Sequence, residues 1–158
     1  MVPLGAVCRI AEALMRLLFV DDDLENVSLV ASVLRDALGA ECILVTTVEE
    51  AVAALHASPV HIVIADLFIP MGPGARETLG PRARKYAEQV EDLGGLVLLD
   101  EIDRVEPPPI VLLHTACRDH VLLELLGERV AARVRKPAPT EVLLNAVLEA
   151  MRELPGRS

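Results

Sequence analysis

Residues 16–25 read RLLFVDDDLE: a five-residue apolar run, Arg16-Leu17-Leu18-Phe19-Val20, passes straight into three consecutive aspartates, Asp21, Asp22 and Asp23. An apolar run this short, with no polar alternation, suits a strand buried on both faces of a parallel sheet. The aspartates admit two readings. They end the strand at a surface turn, where Asp is common and water screens its charge, or they hold a hard divalent cation, which takes one or two carboxylates and often bridges to phosphate oxygens.

The rest of the chain repeats the pattern. Similar apolar runs occur at 41–45, 60–65, 110–114 and 130–134. Between them Val27, Val30, Leu34 and Leu38 recur at helical spacing. A helix over Glu49–Ala57 follows Thr47 as a candidate cap, and another over Val142–Met151 follows Pro139 and Thr140. Strands alternating with helices predict a doubly wound α/β domain with a five-stranded parallel sheet.

Ligands of such sheets sit at the carboxyl ends of the strands. Asp21 and Asp22 follow the first strand, Asp66 the third and Thr115 the fourth, and Lys136 lies just past the fifth. Together they suit phosphoryl chemistry. Asp66 is a candidate nucleophile, and Asp21 and Asp22 can hold a Mg²⁺ that neutralises the transferring oxygens. Thr115 can donate to a phosphoryl oxygen, and Lys136 adds a compact positive charge beside the carboxylates.

The motifs FVDDD, ADLFIP around Asp66, LLHTA around Thr115 and VRKP with Lys136-Pro137 resemble those of a response-regulator receiver domain, the phosphoacceptor half of a two-component system. Singly each is weak; in this order at successive strand ends they are specific, and the resemblance spans residues 16–153. It implies a flavodoxin-like receiver fold in which Asp66 is phosphorylated, Thr115 is the switch hydroxyl and Lys136 contacts the phosphate. The implied Mg²⁺ ligands are Asp22 directly, Asp21 through water, Asp66, and the backbone carbonyl of Phe68. It further implies a cis Lys136-Pro137 peptide, leaves Asp23 a surface role, and makes the protein not a conventional enzyme but one that catalyses its own phosphorylation and dephosphorylation. The expected donor is a sensor histidine kinase or phosphotransfer protein, and the expected receiver of the signal is a downstream protein. Homodimerisation stays open.

Three departures from the family pattern stand out. Forty-nine positions separate Asp66 from Thr115, roughly twenty more than the pattern needs, which places an extra helical insert at about 74–94, between strands 3 and 4. Within it Gly80-Pro81 reads as a helix start and Gly94-Gly95 as a stop. Its basic residues Arg76, Arg82, Arg84 and Lys85 precede the acids Glu88, Glu91 and Asp92, so it reads either as a lid or docking element sensing charge at Asp66 or as a solvated helix. Arg133 stands where many receivers carry a switch aromatic. Phe68 and Cys117, each two residues past Asp66 and Thr115, form an apolar pair that predicts slow loss of phosphate.

Composition narrows the partners. The 158 residues, 53% of them hydrophobic, suffice for one well-packed domain. A formal charge of −9 disfavours direct binding to nucleic acid or anionic membrane. Cys8, Cys42 and Cys117 read as reduced, mostly buried thiols, and no segment reads as a secretory signal or membrane span, so a cytoplasmic location is expected. The domain is placed at 15–154, with an N-terminal extension at 1–14 and a tail at 155–158. With no output domain following, the reading is a stand-alone receiver or a piece of a longer protein.

Several competing readings are weaker. LVLLDEID, 96–103, resembles a Walker B strand, but no phosphate-binding G-x-x-x-x-G-K-[ST] accompanies it, and Leu98, Leu99, Ile102 and Val105 suit a helix face. His114, Cys117 and His120 lack a fourth zinc ligand. A phosphoaspartate-forming hydrolase would need an acid where Phe68 stands. The alternative from another class is a receiver-like scaffold that takes no phosphate.

Overall fold

The computed structural model describes residues 14–73, 94–126 and 129–154. Among the described residues ten elements alternate: β1 (Arg16–Val20), α1 (Glu25–Leu38), β2 (Glu41–Val45), α2 (Val48–Ala57), β3 (Ile62–Ala65), α3 (Gly94–Ile102), β4 (Ile110–Thr115), α4 (His120–Leu126), β5 (Ala132–Arg135) and α5 (Thr140–Arg152). The strands form one parallel sheet in the order β2-β1-β3-β4-β5. This is the flavodoxin-like doubly wound order, whose switch point lies between β1 and β3.

Both faces of the sheet are covered, which explains why its strands are apolar throughout. Leu17, Phe19, Ile62, Ile64, Leu112 and Val134 face α1 and α5, where they meet Val27, Val30, Leu34, Leu143 and Val147. The alternate residues Leu18, Val20, Val63, Ala65, Val111 and Leu113 pack under α2, α3 and α4, against Val48, Leu55, Leu98, Ile102 and Leu126.

Register then fixes the rim. Val20 pairs with Val45 on one side and Ala65 on the other, so Asp21 and Asp66 emerge side by side. The Asp66 N–H donates to the Val20 carbonyl at 3.0 Å and the Asp21 N–H to the Val45 carbonyl at 3.1 Å. Ala65 also pairs with Leu113, which sets His114 level with Asp66. Thr115 pairs with Arg135 and its carbonyl accepts the Lys136 N–H at 3.0 Å.

The local signals hold with a few corrections. Thr47 caps α2: its hydroxyl oxygen accepts the Glu50 N–H at 3.1 Å. Thr140 does not cap α5; it is the first helical residue, and no side-chain cap bond forms. Leu38 does not join the core, being half-exposed in the last turn of α1. Gly39, at φ +65° just past that turn, closes the helix with its N–H on the Arg35 carbonyl. Strand β3 starts at Ile62 rather than 60, and β5 lies at 132–135 rather than 130–134.

LVLLDEID is not a strand but the body of α3, with Leu98, Leu99 and Ile102 buried. Gly94 and Gly95 open α3 as buried residues whose N–H groups donate to the Ile69 and Leu67 carbonyls at 3.0 and 3.1 Å. A Cβ on Gly95 would sit 2.6 Å from Leu67 Cα and 2.7 Å from the Asp66 carbonyl oxygen. Only glycine lets the helix approach the loop behind Asp66 this closely. The Lys136-Pro137 peptide is cis as expected, and Glu106-Pro107 is also cis. The expectations for the insert at 74–93, for residues 1–13 with Cys8, and for the tail 155–158 lie outside the described residues. Among the described residues no helix is long and apolar enough to cross a membrane.

Candidate functional site

The three aspartates after β1 divide three tasks. Asp21 is 1% exposed and points along the sheet rim. Its Oδ1 accepts the Asp23 N–H at 3.0 Å, and its Oδ2 accepts Lys136 Nζ at 2.6 Å. Asp22 is exposed and makes no hydrogen bond among the described residues. Asp23 does more than sit on the surface: its Oδ1 accepts the Glu25 N–H at 3.2 Å and so helps start α1.

Asp66, 4% exposed, is held the same way. One oxygen accepts the Phe68 N–H at 3.1 Å and the other accepts Lys136 Nζ at 2.9 Å. Lys136 thus bridges two buried carboxylates from the mouth of β5. Carboxylate oxygens of Asp21, Asp22 and Asp66 lie within 4.8 Å of one another. The structure therefore brings together four of the residues singled out in the sequence.

Thr115 lies at the same rim, buried, but is turned to its own loop. Its Oγ1 accepts the Cys117 N–H at 3.2 Å, and no hydrogen bond joins it to the carboxylates. Phe68 is 41% exposed while Cys117 is buried. Arg133 is exposed on β5, at the edge of the sheet. With Arg118, His120 and Arg135 it borders a groove of about 390 Å³ that reaches Thr115. His114, Cys117 and His120 form no metal-ligand cluster; among the described residues the aspartates alone do.

Charge at the site does not balance. One ammonium faces three carboxylates, two of them buried. Burial raises the Asp21 pKa above the usual carboxylate value, opposed by the hydrogen bond from Lys136 and reinforced by the charge of Asp66. Burial also works against the Lys136 charge, but its hydrogen bonds to Asp21 and Asp66 outweigh that and hold its pKa above normal. The lysine is over-neutralised and the acids are under-neutralised, so the cluster favours an additional cation. Clustered hard oxygen donors, one of them exposed to solvent, fit Mg²⁺ with part of its water shell retained.

Sequence reasoning passed over His114 except as a zinc ligand. It is 5% exposed, and its Nδ1 lies 3.9 Å from Asp21 Oδ2 without a hydrogen-bond partner. Burial, and secondarily the charge of Lys136, push its pKa down to about 4, against the pull of Asp66. Strand alternation carries the signal: Leu112 faces α1 and α5, so His114 does too.

No protein-family model matches the chain, and no curated protein matches it by sequence. Solved structures do. A CheY-like response regulator receiver domain protein from Methanospirillum hungatei JF-1 aligns at 20% identity over 89% of this chain and 96% of its own, with a TM-score of 0.68. The non-phosphorylated HemR receiver domain from Leptospira biflexa aligns at 18% identity over 91% and 99%, with a TM-score of 0.69. The chemotaxis response regulator CheY4 of Vibrio cholerae aligns at 17% over 87% and 99%, with a TM-score of 0.66. The chain has the receiver fold. In this receiver fold the aspartate cluster and Lys136 occupy the carboxyl rim at the β1/β3 switch point, where α/β sheets bind ligands.

Proposed function

We propose that the chain is a phosphoacceptor of a two-component system, receiving a phosphoryl group on Asp66 from the phosphohistidine of a sensor kinase or phosphotransfer protein. The observation that carries this reading is Lys136 Nζ bridging buried Asp21 and Asp66 at 2.6 and 2.9 Å beside Asp22. In the transfer, an Asp66 carboxylate oxygen forms a bond to phosphorus as the phosphorus–nitrogen bond breaks. The electron pair of that bond stays on the donor imidazole, which takes a proton. Asp21, Asp22, Asp66 and the Phe68 carbonyl would hold a divalent cation, which would supply positive charge to neutralise the transferring oxygens. Lys136 follows the oxygens of Asp66 to the phosphoryl group, and the Thr115 hydroxyl leaves the Cys117 N–H to donate to it. The phosphorylated form has an altered affinity for a downstream protein.

A scaffold that takes no phosphate has no use for two carboxylates buried at a cost in desolvation, so the geometry favours the phosphoacceptor. Beryllofluoride, which mimics a phosphoryl group on a carboxylate, tests this by ¹⁹F NMR. Binding should require both Mg²⁺ and Asp66 and vanish in Asp66→Asn. Binding that survives the substitution would overturn the assignment of Asp66.

A further inference from the structure

His114 is out of character with its surroundings. Leu112 on its own strand and Val134 paired beside it are apolar. Its Nδ1 is the one buried side-chain nitrogen or oxygen among the described residues that lacks a hydrogen-bond partner. An orphaned buried nitrogen costs stability that an apolar residue would not, and each such group calls for a cause. The nearby acceptor is Asp21 Oδ2, 3.9 Å away and now taken by Lys136 at 2.6 Å. The imidazole also borders a cavity of about 310 Å³ shared with Asn26, Lys136 and Thr140, which leaves space for side chains to turn. An uncharged imidazole has one proton to place on either nitrogen.

We propose that His114 is a positioning residue for Asp21: in the cation-loaded site Lys136 commits to Asp66, and Asp21 Oδ2 passes from the lysine to the Nδ1–H of a neutral His114. This rests on the phosphoacceptor reading above. The exchange has a physical reason. An ammonium on Asp21 cancels the charge a cation needs, whereas a neutral N–H donor orients the carboxylate and leaves its charge intact.

Calorimetric Mg²⁺ titration of the full chain at neutral pH tests this with His114→Leu, His114→Asn and His114→Gln. An asparagine amide nitrogen falls near the place of Nδ1, whereas that of glutamine falls near Nε2. Leucine and glutamine should raise the Mg²⁺ Kd about tenfold or more, the range seen for partners of metal ligands, and asparagine should restore it to within about threefold of wild type. In the wild type, imidazole ¹⁵N spectra should show Mg²⁺ moving the proton onto Nδ1 while the ring stays neutral; this needs no variant to fold. A leucine variant with wild-type Kd, an asparagine variant no better than leucine, or a proton that stays on Nε2 would each overturn the inference while leaving the phosphoacceptor reading standing. A wild type that binds no Mg²⁺ at all would defeat both.

Discussion

Replacing Lys136 by methionine keeps the length of the side chain and removes the charge that joins β5 to β1 and β3. Two charge-assisted hydrogen bonds, at 2.6 and 2.9 Å, are lost, and Asp21 and Asp66 are left facing each other at 1% and 4% exposure. Breaking a buried ion pair costs about 3–5 kcal/mol. Here the low end applies, about 3 kcal/mol, because the Lys136 side chain keeps 15% of its exposure and the cluster opens to water through Asp22. For a domain of this size that lowers Tm by roughly 10 °C in EDTA at pH 7.

The same substitution sets two further signs. Without the ammonium Asp21, whose pKa burial already raises, binds a proton still more readily in the folded state than unfolded, so the variant regains stability as pH falls and its gap to the wild type narrows toward pH 4. Mg²⁺ should also stabilise the variant more than the wild type, since the lysine no longer competes for Asp21; saturation at about a hundred times Kd contributes about 2.7 kcal/mol. Thermal melts across pH with and without Mg²⁺ measure all three effects. A variant melting within about 2 °C of wild type in EDTA, with a gap independent of pH, would refute the charge argument.

Gly95→Ala should destabilise the protein by about 1–3 kcal/mol and slow phosphorylation, because the new methyl meets the Asp66–Leu67 backbone at 2.6–2.7 Å; Gly39→Ala, where nothing lies within 4 Å, should cost only the strain of its positive φ, about 1–2 kcal/mol, with phosphorylation rate unchanged. Phe68→Asn places an amide able to guide water beside Asp66 and should shorten the phosphoryl half-life about fivefold, the rate equivalent of one neutral hydrogen bond of about 1 kcal/mol, as followed by intact mass over time. His114 has a folded pKa of about 4, below its unfolded value of 6.5, so the unfolded state takes up the proton first and stability falls as pH drops through that window. Denaturant melts in EDTA should therefore show His114→Leu gaining on wild type by up to about 3 kcal/mol between pH 7 and pH 4. A constant difference would show that His114 is not buried as a neutral ring.

Much of this arrangement is legible in the sequence. Strands buried on both faces appear as short apolar runs, and each rim residue follows such a run directly: Asp21 after Val20, Asp66 after Ala65, and Thr115 as the last residue of β4. The helix faces are legible for the same reason, although Leu38, at the right spacing, lies in the last turn and stays half-exposed. What escaped depends on contacts between distant segments. Gly94-Gly95 resembles a helix end in isolation, and only the closeness of α3 to the Leu67 and Ile69 backbone explains two glycines inside its first turn. Likewise, alternation puts His114 on the α1/α5 face, but its distance to Asp21 follows from the register of β1, β3 and β4 together. Asp23 is the local exception: its carboxylate turns back to the Glu25 N–H two residues on, a contact that nothing in a run of three adjacent aspartates assigns to the third.

The central claim is that Asp66 accepts a phosphoryl group. Intact-protein mass after incubation with acetyl phosphate and Mg²⁺, run beside Asp66→Asn and an EDTA control, tests it most directly. The account predicts a gain of one phosphoryl group in the wild type with Mg²⁺ and none in the other two samples. A folded, Mg²⁺-binding wild type that gains nothing, or an Asp66→Asn variant that gains as much, would contradict it.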